Sequence, residues 1–116
     1  MKRQLAERRG REGERRAAIW LWLKGWRTIG RRVKTPRGEI DLICKRGKII
    51  AFVEVKWRKR PEDLDLAIDQ YRLGRVAAAV ECVAHEYAKE GEDIRIDVML
   101  LAPGVIPRHI TNAWQP

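Results

Sequence analysis

Four ionisable residues stand out because apolar neighbours surround them. Gly38-Glu39-Ile40-Asp41-Leu42-Ile43 carries two carboxylates. Phe52-Val53-Glu54-Val55-Lys56 carries a third and a lysine. Both segments read as β-strands, in which alternate side chains share a face. Glu39, Asp41 and Ile43 then lie on one side of the first strand, and Ile40, Leu42 and Cys44 on the other. In the second strand Ile50, Phe52, Glu54 and Lys56 share a side, opposite Ala51, Val53, Val55 and Trp57. One face of the pair is apolar, and the other gathers the charges.

Arg46-Gly47-Lys48 between them reads as a tight hairpin. A two-residue turn at Gly47-Lys48 puts Asp41 opposite Glu54 and Glu39 opposite Lys56. Opposed Cβ atoms lie ~4.5–5.5 Å apart. Two carboxylates that close repel unless a proton or a cation intervenes. Magnesium suits such a pair, because it takes one or two carboxylates and fills its sphere with water and phosphate oxygens. A one-residue change of turn length would send the pairs to opposite faces, so everything rests on the register. The plainer alternative is a Glu39–Lys56 ion pair with Asp41 and Glu54 solvated. Strands this apolar belong in the middle of a sheet, where unpaired charge is costly.

The elements that must position these residues follow from periodicity. Residues 1–12 are rich in Arg, Lys, Glu and Gly and form a basic arm or the start of the first helix. Glu14 to Lys24 is helical in pattern, with Ile19, Trp22, Leu23 and Trp26 as the expected core stripe and Gly25 as the stop. Strands are expected at 27–34, 39–46 and 49–57, with Thr35-Pro36-Arg37-Gly38 as a turn. Residues 58–63 form a charged loop with Pro61. A helix is expected from Leu64 to Lys89, with Leu73, Val76, Ala77, Val80, Val83, Ala84 and Tyr87 inward. Gly74 within it marks a bend or a close contact, and Gly91 its end. A strand follows at 94–101, and a short one at 108–114. The order is α-β-β-β-α-β with a final short β, an α/β domain over 13–116 with a mixed sheet between helices.

Composition narrows the function. The 116 residues fit one domain, with 45% hydrophobic and 35% charged residues, a globular balance. The net charge of +9 suits a polyanionic partner, nucleic acid first. Cys44 and Cys82 have no paired spacing, which argues against a disulfide framework or a zinc site and for a reducing cytoplasm. His85 and His109 stand alone, and surface or helix positions are expected for both. The apolar run Ala17–Leu23 is too short to span a bilayer and lacks a cleavage site, so no membrane association is expected.

At these residues the chain resembles the YraN-like (UPF0102) proteins, which are related to the PD-(D/E)XK restriction-endonuclease-like superfamily. The likeness rests on Gly13-Glu14 with Ala17 ahead of the first helix, on GEIDLI at 38–43 and on FVEVK at 52–56. It extends to Arg95-Ile96-Asp97-Val98 and to Ile110-Thr111-Asn112-Ala113. The resemblance implies a restriction-endonuclease-like fold. It also implies that Asp41 and Glu54 hold a metal, Mg2+ or Mn2+, that Lys56 positions or activates water, and that Glu14 adds a further acid. A Gln-x-x-x-Lys/Arg element is common on the next helix of such proteins. Gln70, Arg72 and Arg75 are the candidates for it here.

The expected activity is hydrolysis of DNA phosphodiester bonds, with branched or damaged structures as substrates. The rival readings are a nucleic-acid-binding protein that keeps the fold without catalysis, and a scaffold whose acids form ion pairs. Glu39 would support Lys56 or serve a second ion. Arg31, Arg32, Lys34, Arg37 and Arg58, with Gln70 and Arg75, would grip the phosphate backbone. Arg27, Lys59 and Arg60 belong to the same basic runs. Trp22, Trp26 and Trp57 are expected in the core, although any tryptophan could stack on a base. A homodimer is expected only by analogy with relatives that cut both strands.

Overall fold

Three strands in sequence order build the antiparallel part of the sheet. They are β1 (Arg27–Thr35), β2 (Gly38–Arg46) and β3 (Ile49–Trp57). A helix, α2 (Gln70–Tyr87), crosses over to β4 (Asp93–Leu101), which pairs parallel with β3. A short β5 (Arg108–Ile110) closes the edge against β4. The order across the sheet is β1-β2-β3-β4-β5. The long first helix, α1 (Lys2–Leu23), lies on the opposite face from α2. The architecture is therefore the mixed α/β sheet flanked by helices that the periodicity predicts, compatible with a restriction-endonuclease-like fold. This computed structural model describes the backbone of residues 2–114 and the side chains of residues 10–114. Of the basic segment 1–12, the backbone is helical from Lys2, and the side chains of residues 1–9 lie outside the described residues.

The hairpin register is the expected one. Arg46 pairs with Ile49, Cys44 with Ala51, and Leu42 with Val53. Gly47 takes the first central turn position at φ 60°, a conformation that favours glycine.

Both sheet faces are covered. Ile43, Ile50, Phe52, Val98 and Leu100 pack under α2, and Leu42, Cys44, Ala51, Val53 and Met99 under α1. Burying one large apolar side chain of this kind stabilises the fold by about 1.5–3 kcal/mol. Ile40 corrects the expected alternation. It packs with Ile43 on the α2 side and not with Leu42 and Cys44. β2 therefore turns over at Asp41, and strict period-two reading fails there.

The core stripe of α1 also differs from expectation. Ile19, Trp22 and Leu23 are 49%, 68% and 66% exposed, while Ala17, Ala18, Leu21 and Trp26 are buried. The motif Gly13-Glu14 with Ala17 lies inside this helix and not ahead of it. Small residues face the sheet so that the helix can sit close. A Cβ at Gly13 would lie 3.5 Å from the Trp57 Cβ, an ordinary contact distance, so the helix sits directly against Trp57 here. The inner face is narrow, and the bulkier apolar residues are left outside.

The second helix begins later than its period suggests. Two 3-10 turns, Pro61–Asp63 and Asp65–Ala67, occupy the approach. Asp69 caps α2, its carboxylate accepting the Tyr71 N–H at 2.9 Å. The inward stripe holds, with Leu73, Val76, Val80 and Val83 buried. Gly74 faces the Trp114 ring, which confirms the close contact. The helix ends at Tyr87, before the expected Gly91.

His109 is not a surface residue. It lies in β5 with its Nε2 2.7 Å from Asp97 and its ring edge against Trp26. His85 is exposed on α2, as expected. Both cysteines are free, and Cys44 is buried. Burial pushes the Cys44 thiol up to about 11, so it stays protonated.

Candidate functional site

The candidate site forms where two strand ladders are interrupted at one level of the sheet. β2 and β3 pair only as far as Leu42 and Val53. Beyond that point the Asp41 side chain replaces a backbone partner, its Oδ2 accepting the Val55 N–H at 2.8 Å. On the other side, Arg31 pairs with Leu42 and Val33 with Ile40, so Arg32 lies across from Asp41. Arg32 has φ 48°, a left-handed conformation that costs a side-chain-bearing residue about 1–3 kcal/mol. Its Nε donates to Glu14 Oε1 of α1 at 2.7 Å. Glu14 is thus drawn to the same level of the sheet as Asp41.

The electrostatics follow from this crowding. Burial raises the Asp41 carboxyl most, and the facing Glu54 charge raises it further. Glu14 adds to the rise, while the Val55 N–H and Lys56 oppose it. The net effect takes Asp41 from 3.8 to about 7. Near neutral pH this carboxyl is therefore partly protonated. Lys56 is 9% exposed, and its Nζ donates to Glu54 Oε1 at 2.9 Å. The three acids Asp41, Glu54 and Glu14 therefore share two bases, Lys56 and Arg32.

A groove of about 220 Å³ opens beside Glu54. Arg37 and Glu39 from the start of β2 line it, together with Arg72 and Arg75 from α2. Of the three α2 candidates, Arg72 and Arg75 reach this groove, while Gln70 is exposed at the first residue of the helix and does not line it. Glu39 is exposed at the rim, and the carboxylate on Lys56 is that of Glu54. Neither expected opposition, Asp41 with Glu54 or Glu39 with Lys56, is among the strand pairs, which end at Leu42 and Val53. Arg32 is occupied by Glu14, and Arg58 donates to the Trp57 carbonyl at 2.8 Å. Arg31 and Lys34 are exposed on β1.

The chain is similar to known proteins along its whole length. The model of a family described as uncharacterised protein family UPF0102 matches residues 13–101. The chain belongs to the UPF0102 family. A UPF0102 protein of Erythrobacter litoralis is 72% identical over 116 residues, covering all of both chains. One from Sphingopyxis alaskensis is 60% identical over the same full length. One from Rhizorhabdus wittichii is 57% identical and spans 97% of this chain and 96% of its own. The family match takes in Glu14, Asp41, Glu54 and Lys56 and stops before β5.

A second buried polar cluster was not singled out as such by the sequence. Asp97 is fully buried on β4. It accepts two hydrogen bonds from Arg95 at 2.8 Å, one from the Asn112 N–H at 2.9 Å, and one from His109 at 2.7 Å. Burial pushes its carboxyl up, but His109, Arg95 and Asn112 together hold it below the ordinary range. An ionised carboxylate only accepts, so His109 Nε2 carries the proton. The cluster ties the chain after β5 back to the sheet. Its signal in the sequence is Asp97, a carboxylate in the interior of the strand Asp93–Leu101, next to the apolar run Val98–Leu101. No helix among the described residues is long and apolar enough to cross a membrane.

Proposed function

We propose that this chain is a metal-dependent nuclease that hydrolyses DNA phosphodiester bonds, with branched or damaged structures as its substrates. The observation that carries the reading is the Asp41 carboxyl, raised to about 7 by burial and by Glu54, with Lys56 beside the same pair. A divalent cation would relieve that repulsion better than a proton above neutral pH. Among the described residues no three His, Cys, Asp or Glu side chains form a ready-made metal site. A bound ion would therefore draw on Asp41 and Glu54 and complete its sphere with water and phosphate oxygens, as Mg2+ or Mn2+ does.

Bound there, such an ion would supply Lewis acidity toward a phosphate. The chain's own groups would do the rest. Lys56 would donate to a phosphate oxygen or orient the attacking water. Arg72 and Arg75 would hold the substrate backbone across the groove. Glu14 with Arg32 would brace the level of the sheet on which Asp41 sits. The resemblance to PD-(D/E)XK enzymes supports these roles.

The test is a panel of linear, single-stranded, flapped and four-way DNA incubated with Mg2+ or Mn2+, alongside Glu54→Ala. Cleavage by the natural chain and none by the variant is expected. Absence of metal-dependent cleavage on every substrate would sink the reading.

One observation favours a second reading. The Glu54–Lys56 pair and the Asp41–Val55 hydrogen bond satisfy these groups without a cation. That arrangement suits a nucleic-acid-binding protein lacking catalysis. Salt-sensitive DNA binding with no cleavage would identify it.

A further inference from the structure

The sheet face under α1 carries a groove that the acidic site does not use. It has a volume of about 540 Å³ and runs between α1 and β1. Arg15, Ile19 and Trp22 line one wall, and Arg27 and Arg31 the other. Among the described residues no acid lines it, and none of its three arginines has an ion-pair partner. Trp22 is 68% exposed although it is among the largest apolar side chains on the helix. Burying it would have been worth about 2 kcal/mol or more, yet with Ile19 it faces solvent in the wall of the groove.

From these residues we infer that the α1–β1 groove binds a single-stranded nucleic acid segment, with a base stacked on Trp22 and phosphates on Arg15, Arg27 and Arg31. Exposed aromatic rings interleaved with unpaired arginines are what a sequence-tolerant single-strand site requires. Charge selects this occupant over a second copy of the chain, whose identical basic groove on a +9 molecule would be repelled. Two of the groove's arginines adjoin residues of the acidic site in sequence. Arg15 follows Glu14 and Arg31 precedes Arg32, the pair that flanks Asp41. From Glu14 to Trp22 the helix rises ~12 Å, a span of a few nucleotides. The inference goes beyond the nuclease reading, because no residue lining this groove lines the one beside Glu54.

The test is fluorescence anisotropy of a labelled single-stranded oligonucleotide with the full chain in EDTA, where no metal-dependent cleavage occurs. Trp22→Ala should weaken binding about 5- to 100-fold, and Trp22→Phe should restore most of it. Arg27→Ala with Arg31→Ala should reduce the salt slope by roughly 0.7 for each phosphate that is no longer neutralised. A duplex of equal length should be less sensitive to Trp22→Ala. Unchanged single-strand affinity in Trp22→Ala would overturn the inference. So would a Trp22-dependent dimer, or Trp22-dependent binding to phosphatidylglycerol vesicles, with oligonucleotide binding unaltered. The two readings fail separately. Lack of cleavage with an intact Trp22 effect removes the nuclease and leaves the groove, and the converse removes the groove alone.

Discussion

The Asp41 carboxylate accepts the Val55 backbone N–H at 2.8 Å, taking over where the β2–β3 ladder stops. One side chain thereby separates two strands, spans the gap between them, and brings its own charge against Glu54. The cost is a half-buried carboxyl group, which the Val55 N–H partly compensates.

The first consequence is a pH dependence of stability. The Asp41 carboxyl titrates at about 7 when folded, against 3.8 ordinarily. Between those values the folded state holds a proton that the unfolded state has released. Its contribution is therefore complete at acid pH and lost as pH rises through the folded value. The thermal midpoint of metal-free protein should fall from about pH 5 to about pH 8. Asp41→Asn keeps an acceptor for Val55 and removes the charge, so it should flatten that fall and gain about 1 kcal/mol at the alkaline end. Mg2+ or Mn2+ should raise the midpoint of the natural chain at alkaline pH and leave Asp41→Asn unmoved. Thermal unfolding followed by circular dichroism reads both effects.

Glu54 and Lys56 should separate binding from cleavage. Glu54→Ala and Lys56→Ala should each lower the cleavage rate by about a hundredfold or more. DNA affinity in EDTA should change by no more than severalfold, since the arginines carry it. Lys56→Ala also strips Glu54 of its partner at 2.9 Å, so Lys56→Arg serves as the control for charge. Gel-based cleavage and filter binding on the same DNA decide the point.

Asp97 should be a stability residue. Asp97→Asn leaves Arg95 and His109 facing a neutral amide inside the fold and should cost about 3–5 kcal/mol. In the natural chain the Asp97 contribution is present above the ordinary Asp range and lost as pH falls below it. Urea titration of the variant should show the lower midpoint, with the DNA affinity of the remaining folded fraction preserved.

The two faces of α1 should answer differently to truncation. Leu21→Ala removes a buried side chain and should destabilise by about 2–5 kcal/mol. Trp22→Ala touches an exposed one and should stay within about 0.5 kcal/mol of the natural chain. Reversal of that order in denaturant titrations would contradict the placement of the helix.

Strand identities, the hairpin register and the helix order were all legible in the amino-acid sequence, because they rest on local rules. Alternation, a glycine turn between Arg46 and Ile49, and helical periodicity in Leu73–Val83 each act over a few residues. The candidate residues Asp41, Glu54 and Lys56 stand out in the sequence as charges in strands that ought to be apolar, and the structure places them side by side.

Other features depended on packing between distant segments. Which side of α1 faces the sheet emerges only from the packed structure, where Gly13 lies against Trp57, Ala17 is buried and Trp22 faces outward. The turnover of β2 at Asp41 needed Arg32, Glu14 and the Val55 N–H together, from three elements. His109 found Asp97 only once β5 had paired with β4. Periodicity identifies apolar faces. Where two such choices compete, the tighter packing decides, and that depends on residues far apart in the chain.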